Sequence, residues 1–288
     1  RIAVRTIKPY PGLDPALFTT DPFSIVNDPE IDLIIEVMGG IEPARELAMT
    51  AINNRKSIVT ANKALLASHG ADLFKAAYAK GEDIYYEASV AGAIPIIRPL
   101  RDSLAGDFVT RLMGIVNGTT NYILTKMHED NREFADVLKE AQKLGYAEAD
   151  PTFDIEGIDA AHKLTILAGL SFGIPMNFKD VYVEGIKALE QKDIQYAEEL
   201  GYRIKLLGIA KSRDKGIELR VHPTLIPEKR LIANVNGAMN AIVVKGNMVG
   251  PTLYYGAGAG ALPTASAVVA DLIDISRSSH VPPHGFED

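Results

Sequence analysis

Three short apolar runs in the first third of the chain limit its fold more than any other feature. They are DLIIEV at residues 32–37, KSIVT at 56–60 and DIYY at 83–86, with two segments of helical spacing between them. Strands that are apolar on both sides belong in a parallel sheet covered by helices on both faces. In the first intervening segment, PARELAMTAINN, Pro43 stands where a first-turn proline belongs. The second, ANKALLASHGADLFKAAYAKG, reads as helix interrupted at Gly70. RIAVR at residues 1–5 reads as a further strand, followed by a Pro/Gly/Thr-rich loop over 8–22. The fold class is therefore α/β: a doubly wound, Rossmann-like nucleotide-binding lobe over residues 1–87, its ligand at the carboxyl ends of the strands.

Those ends carry the candidate cofactor residues. Met38-Gly39-Gly40 closes a strand, although a lone Gly-Gly is weak evidence of phosphate contact, and no G-x-G-x-x-G occurs in the chain. Arg5, with Lys8 nearby, stands where an acid would hold the ribose of NAD. A basic residue there suits the extra phosphate of NADP, and equally suits a solvated strand end. Thr60 or Asn62 is placed to cap the following helix, with Lys63 at its start.

Residues 145–163, GYAEADPTFDIEGIDAAHK, gather Glu148, Asp150, Asp154, Glu156 and Asp159, with Lys163 four residues after Asp159. Pro151 marks a loop. From about residue 157 the apolar positions cover nearly the whole helix circumference, so the helix should be mostly buried, yet its first turns carry Asp159, His162 and Lys163. Asp159 and Lys163 share one face. They form either an ordinary helix ion pair or a polar pocket in which carboxylates hold an ammonium group and a lysine moves a proton. The pattern of an EF-hand calcium loop is missing. Spacing alone does not choose.

Residues 88–256 read as a second, α+β lobe. EASVAGAIPII at 87–97 is a tight strand-to-helix crossing, or an oxygen cage of the kind that hard monovalent cations prefer. A strand at 108–116 leads through Asn117, Gly118 and Thr119 into a helix; a second, amphipathic helix at 131–144 ends at Gly145. After Gly173-Ile174-Pro175 come a strand and turn (182–189), a helix (192–200) and alternating strands at 202–210 and 216–224. Residues 240–246 and 247–250 extend this meander. His222 lacks a paired ligand at useful spacing and reads as structural. The segment 257–275 returns to the first lobe as a helix, and a disordered tail is expected from residue 276.

Composition narrows the function. Net charge is −7 with acids and bases mixed, which argues against nucleic acid and an anionic membrane surface. The chain has no cysteine, so disulfides, thiolate metal sites and a cysteine nucleophile are excluded. No apolar run approaches the ~20 residues that span a bilayer, and no signal peptide opens the chain, so a cytoplasmic location is expected.

Four stretches in order carry a family resemblance: TANKALLA, EASVAGAIPII, GIVNGTTNYIL and the G-Y-x-E-x-D-P…D…G-x-D-x-x-x-K run. Together the chain resembles homoserine dehydrogenase. The resemblance implies interconversion of L-homoserine and L-aspartate 4-semialdehyde by hydride transfer with NADP, NAD being possible. It implies catalytic roles for Lys163 and Lys63, substrate contacts at Glu148, Asp159, Asp154 and Gly145, and cofactor contacts at Arg5, Met38, Gly39, Asn62, Lys63 and Gly260. It further implies a structural sodium ion at Glu87, Val90, Gly92 and Ile94, largely through main-chain oxygens, and a homodimer or homotetramer formed through the antiparallel sheet. The family's phosphate-binding strand and turn would precede Arg1, and its C-terminal regulatory domain has no counterpart here. The alternatives are an inactive, truncated homo-oligomer and an oxidoreductase for another amino-acid aldehyde.

Overall fold

A computed structural model describes residues 1–277. The chain opens with β1 (Ile2–Ala3), pairs it in parallel with β2 (Phe18–Thr19), and continues through a one-turn helix α1 (Phe23–Val26). β3 (Leu33–Glu36), α2 (Ala44–Asn53), β4 (Ser57–Thr60), α3 (Lys63–Lys80) and β5 (Ile84–Tyr85) follow, and the three strands form a parallel sheet in that order. α2 and α3 pack on one face of this sheet. The other face is covered by the last helix, whose Val268 joins Val59 and Tyr85 in a small apolar cluster.

Two expectations change here. Only Ile2–Ala3 of RIAVR is strand, and its partner lies inside the presumed 8–22 loop, in a two-stranded sheet separate from the parallel three. A strand persists only where a neighbour takes its backbone groups. Helix α3 runs through Gly70 without a break. A Cβ at Gly70 would sit 3.1 Å from the Met176 sulfur, so this glycine is a close-packing position and not a helix break.

The second lobe is built on a six-stranded sheet. β6 (Val109–Ile115) leads into α4 (Gly118–Glu129), α5 (Phe134–Lys143), the short α6 (Thr152–Ile155) and the buried α7 (Ile158–Phe172). Then come β7 (Tyr182–Val183), α8 (Gln191–Glu199), the long hairpin β8 (Tyr202–Arg213) and β9 (Gly216–Pro227), β10 (Met239–Gly246) and β11 (Pro251–Ala257). Their order is β11-β10-β6-β8-β9-β7, antiparallel except for β7 on β9. α4 and α7 lie against one face, with one continuous apolar core running from there into the nucleotide lobe. The 247–250 stretch is a turn, not a strand, because the Asp107 carboxylate accepts the amides of Asn247, Met248 and Val249 at 3.0–3.1 Å; the added strand is β11. α6 replaces part of the loop expected after Pro151, with Pro151 at its N-cap.

α9 (Ala261–Arg277) carries the chain back, so residues 276 and 277 of the expected tail are helical, and the rest of that stretch lies outside the described residues. Where α9 meets the first lobe, buried Asp271 accepts the Glu87 amide at 2.9 Å. The Glu87 carboxylate accepts from the amides of Ile96, Ile97 and Arg98 and so caps the helical turns leading to Pro99–Ser103. Gly92 is essential to this junction: with φ +50, its Cα side lies where a Cβ would come within 2.8 Å of the Gly258 backbone. Among the described residues no helix is long and apolar enough to cross a membrane.

Burial raises the Asp271 carboxyl to about 7, the nearby Glu87 charge adding to it. The folded state therefore binds a proton that the unfolded chain has released, and this group's stabilisation, complete below about pH 4, is lost as pH rises toward 7. Thermal unfolding between pH 4 and 8 should show this component, and Asp271→Asn should remove it while raising the melting temperature at pH 8.

Candidate active site at the seam of the lobes

The functional cluster lies where α3 of the nucleotide lobe meets α7 of the second lobe. Asp159, 3 % exposed, is at its centre. Its Oδ1 lies 2.7 Å from Lys63 Nζ, and its Oδ2 lies 2.8 Å from Lys163 Nζ. Oδ2 also accepts from Asn117 Nδ2 at 2.8 Å. Lys163, one helical turn on, donates a second bond to the Val116 carbonyl at 2.7 Å, at the end of β6. One carboxylate thus holds a lysine from each lobe.

Local sequence explains these positions. Asn62 caps α3 through its side chain and sets Lys63 at the first helical position. Asn117 caps α4 in the same way, accepting from Thr120 N at 2.8 Å. That leaves the Asn117 amide hydrogens free to bridge Asp154 Oδ1, at 2.7 Å, and Asp159. Gly118 allows this approach, since a Cβ there would fall 2.8 Å from the Ala238 carbonyl. Gly157, at φ +82, turns the chain from α6 into α7. Thr119 holds the loop before α6 through the Tyr146 carbonyl at 2.7 Å.

Burial opposes the charge of Asp159, but the Lys163 and Lys63 ammonium groups outweigh it and hold the carboxyl below the usual carboxylate range. Burial pushes Asp154 the other way, upward, with the Asp159 charge adding to it against the Asn117 bond. The two acids therefore differ: Asp159 serves two cations, while Asp154 is half-buried and held by the neutral donors Asn117 and Thr119. The Lys163 side chain is 11 % exposed and that of Lys63 33 %, so the cluster opens toward solvent on the Lys63 side. His162 packs edge-on between Phe153 and Phe178 and belongs to the packing.

The other sequence candidates divide. Glu148 and Gly145 lie exposed on the loop between α5 and α6. The hydrogen bond of Glu148 runs from Gln142 to its main-chain carbonyl, and its carboxylate does not join the buried cluster. Met38, Gly39 and Gly40 end β3 beside Asn62, whose side chain donates to the Gly40 carbonyl at 2.7 Å. Gly39 and Gly40 have φ of +72 and +77, with open space where a Cβ would stand, so a ligand can lie directly on this backbone. The Met38 and Gly39 amides, however, donate to Glu36 at 2.9 and 3.3 Å and so do not point outward at a phosphate. Arg5 is exposed after β1, and Gly260, at φ +126, immediately precedes α9.

Among the described residues no group of acids or histidines is placed to hold a metal ion. Glu87 spends its carboxylate on three amides. Ala91 and Gly92 both have positive φ, 58° and 50°, which bends the 90–94 backbone sharply. Sequence reasoning missed Glu36; a buried acid ending an apolar strand was its only signal.

A parallel α/β sheet joined through one helix to a mostly antiparallel sheet, with lysines from both lobes on one carboxylate, defines a two-lobed dinucleotide-binding architecture. Residues 2–87 match the family model "Homoserine dehydrogenase, NAD binding domain", and residues 95–273 match the "Homoserine dehydrogenase" model. The chain belongs to the homoserine dehydrogenase family. It is 59 % identical over 274 residues to the homoserine dehydrogenase of Neisseria gonorrhoeae, covering 93 % of this chain and 63 % of that protein. It is 56 % identical over 278 residues to that of Pseudomonas aeruginosa, covering 96 % and 64 %. A crystal structure of a homoserine dehydrogenase from Thiobacillus denitrificans superposes with a TM-score of 0.91 at 61 % identity, covering 94 % of this chain and 65 % of that one. A hyperthermophilic archaeal homoserine dehydrogenase in complex with NADPH superposes at 0.78 and 29 % identity, covering 91 % and 77 %. The chain spans a little under two thirds of the length of the first two relatives.

Removing the shared anion leaves two ammonium groups facing each other in a largely buried site. Asp159→Leu should lower the unfolding free energy by about 3 kcal/mol, in the range for breaking a buried pair, as measured by urea denaturation. Asp154→Leu should cost less, since only the neutral donors Asn117 and Thr119 would lose a partner.

Proposed function

We propose that the chain catalyses reversible oxidation of L-homoserine to L-aspartate 4-semialdehyde with NADP, NAD serving as an alternative. The observation that carries this reading is the Lys63–Asp159–Lys163 cluster at the seam of the lobes. The named activity of the relatives supports the same reading.

The residues at the sheet's carboxyl end fit a dinucleotide: Gly39 and Gly40 offer open backbone, with Asn62 bonded to Gly40 and Lys63 next in the chain; Met38 and Gly260 are assigned to the same ligand. Arg5 is the residue assigned to the extra phosphate of NADP. When bound, the nicotinamide dinucleotide supplies or accepts the hydride. The protein's own part is proton transfer and charge placement. Lys163 spends two of its three hydrogens on Val116 and Asp159, which leaves the third for a substrate. It gives that proton to the substrate's C4 oxygen as the aldehyde is reduced and recovers it in the reverse direction. Lys63 stabilises the negative charge that develops on the same oxygen. Asp154 and Asp159 form an acidic side that suits the α-ammonium of an amino acid, and Glu148 is assigned to the same substrate from the exposed loop that Gly145 opens.

A structural sodium ion is assigned to the main-chain carbonyls of Glu87, Val90, Gly92 and Ile94. The positive φ of Ala91 and Gly92 supports it, and neutral oxygens are the donors that a hard monovalent cation takes. A homodimer or homotetramer is assigned to the outer sheet face, where Leu253 and Tyr255 are exposed beside Met113 and Val243.

The test is L-homoserine-dependent reduction of NADP, followed by absorbance, for the parent and Lys163→Ala. Turnover in the parent and a loss of roughly 10²–10⁴-fold in kcat in the variant is expected for removal of a general acid–base. Equal rates would overturn the role given to Lys163, and parent turnover with a different amino alcohol alone would overturn the substrate.

A further inference from the structure

Glu36 ends β3 at 6 % exposure, and the proposed mechanism gives it no part. Its Oε1 accepts from the Met38 amide at 2.9 Å, the Gly39 amide at 3.3 Å and Asn62 Nδ2 at 3.4 Å. Its Oε2 accepts from Thr60 Oγ1 at 2.7 Å. Thr60 Oγ1 in turn accepts the Asn62 amide at 3.0 Å, and Asn62 Nδ2 reaches back to the Gly40 carbonyl at 2.7 Å. The carboxylate therefore joins two turns, residues 38–40 and 60–62, that leave neighbouring strands of the parallel sheet. The next residue after the second turn is Lys63, 2.7 Å from Asp159 in the other lobe.

A buried carboxylate is costly unless its oxygens are filled by donors. Here four donors fill them, and all four belong to segments that face the cofactor side. Helices α2 and α3 and the sheet ladder already hold the strands together, so the fold has no need of a charge at this point. We infer that Glu36 is a positioning residue: it fixes the 38–40 turn against the 60–62 turn, and so sets Lys63 relative to a cofactor lying on Gly39 and Gly40. The inference rests on the dehydrogenase reading above for the identity of that cofactor. Its geometric half, the locking of two turns by one carboxylate, does not.

Glu36→Gln keeps the shape but turns one acceptor into a donor that faces other donors. Thr60→Val keeps the carboxylate and removes the Thr60 bond to it, together with the acceptor of the Asn62 amide. Both are measured against the parent in the full 288-residue chain. NADPH affinity is followed by fluorescence, steady-state constants by absorbance, and backbone amide exchange by mass spectrometry. In Glu36→Gln the Kd for NADPH and the KM for NADP should rise about tenfold, with the KM for L-homoserine within twofold of the parent. Amide exchange should speed up in both segments, 38–42 and 60–66, and stay unchanged in the β8–β9 hairpin. Thr60→Val should show the same pattern more weakly. Parent-like NADPH binding in Glu36→Gln, or faster exchange in 38–42 alone, would overturn the inference. A parent that neither binds NADPH nor turns over would overturn the dehydrogenase reading instead, while the exchange data would still decide whether Glu36 ties the turns together. If Glu36→Gln fails to fold, Thr60→Val decides the matter by the same criteria.

Discussion

The site depends on a single buried anion shared by cations from two lobes. Asp159 is nearly inaccessible, and its two oxygens take Lys63, Lys163 and Asn117. Burying such a group alone would cost several kcal/mol, so the carboxylate needs both lysines, and each lysine is oriented by it. The geometry of the cluster and the docking of the lobes at this point are therefore one interaction. A change in how α3 meets α7 moves Lys63 away from Lys163 and unbalances the charge.

The surroundings keep that contact fixed. The α4 cap places Asn117 between two acids, and the close approach of Gly118 to Ala238 sets the start of the helix. On the opposite side, Gly92 meets Gly258, Glu87 caps the turns after it, and Asp271 from α9 accepts the Glu87 amide. At Glu36, Glu87 and Asp107 one carboxylate accepts two or more backbone amides. In each case a carboxylate shapes a turn that no regular ladder would hold. The difference between Asp154 and Asp159 follows from the same logic, because two ammonium neighbours hold Asp159 below the usual carboxylate range while burial and the Asp159 charge push Asp154 above it.

Much of the architecture was legible in the chain. Strand and helix periods in residues 32–86, a cap at one of Thr60 and Asn62, and the 202–224 hairpin appear where periodicity and capping chemistry put them. The failures have specific causes. Gly70 reads as a break because a glycine's use in close packing against Met176 is invisible without the partner. The strand at Phe18–Thr19 is too short to show a period and exists because β1 lies beside it. The turn at 247–250 depends on Asp107, some 140 residues earlier in sequence.

The sequence by itself determined the lobes, the family and the chemical types at the site, because these reside in local spacing and in contiguous strings. It placed Asp159 and Lys163 on one helix face by the i,i+4 rule. Only the tertiary structure decided that the pair is part of a largely buried three-residue cluster and not a surface ion pair. Lys63 arrives from nearly a hundred residues away, Asn117 from another helix, and burial gives the charges their meaning. Glu36 shows the same limit: the sequence displays one acid at the end of a strand, and only the fold shows that two turns converge on it.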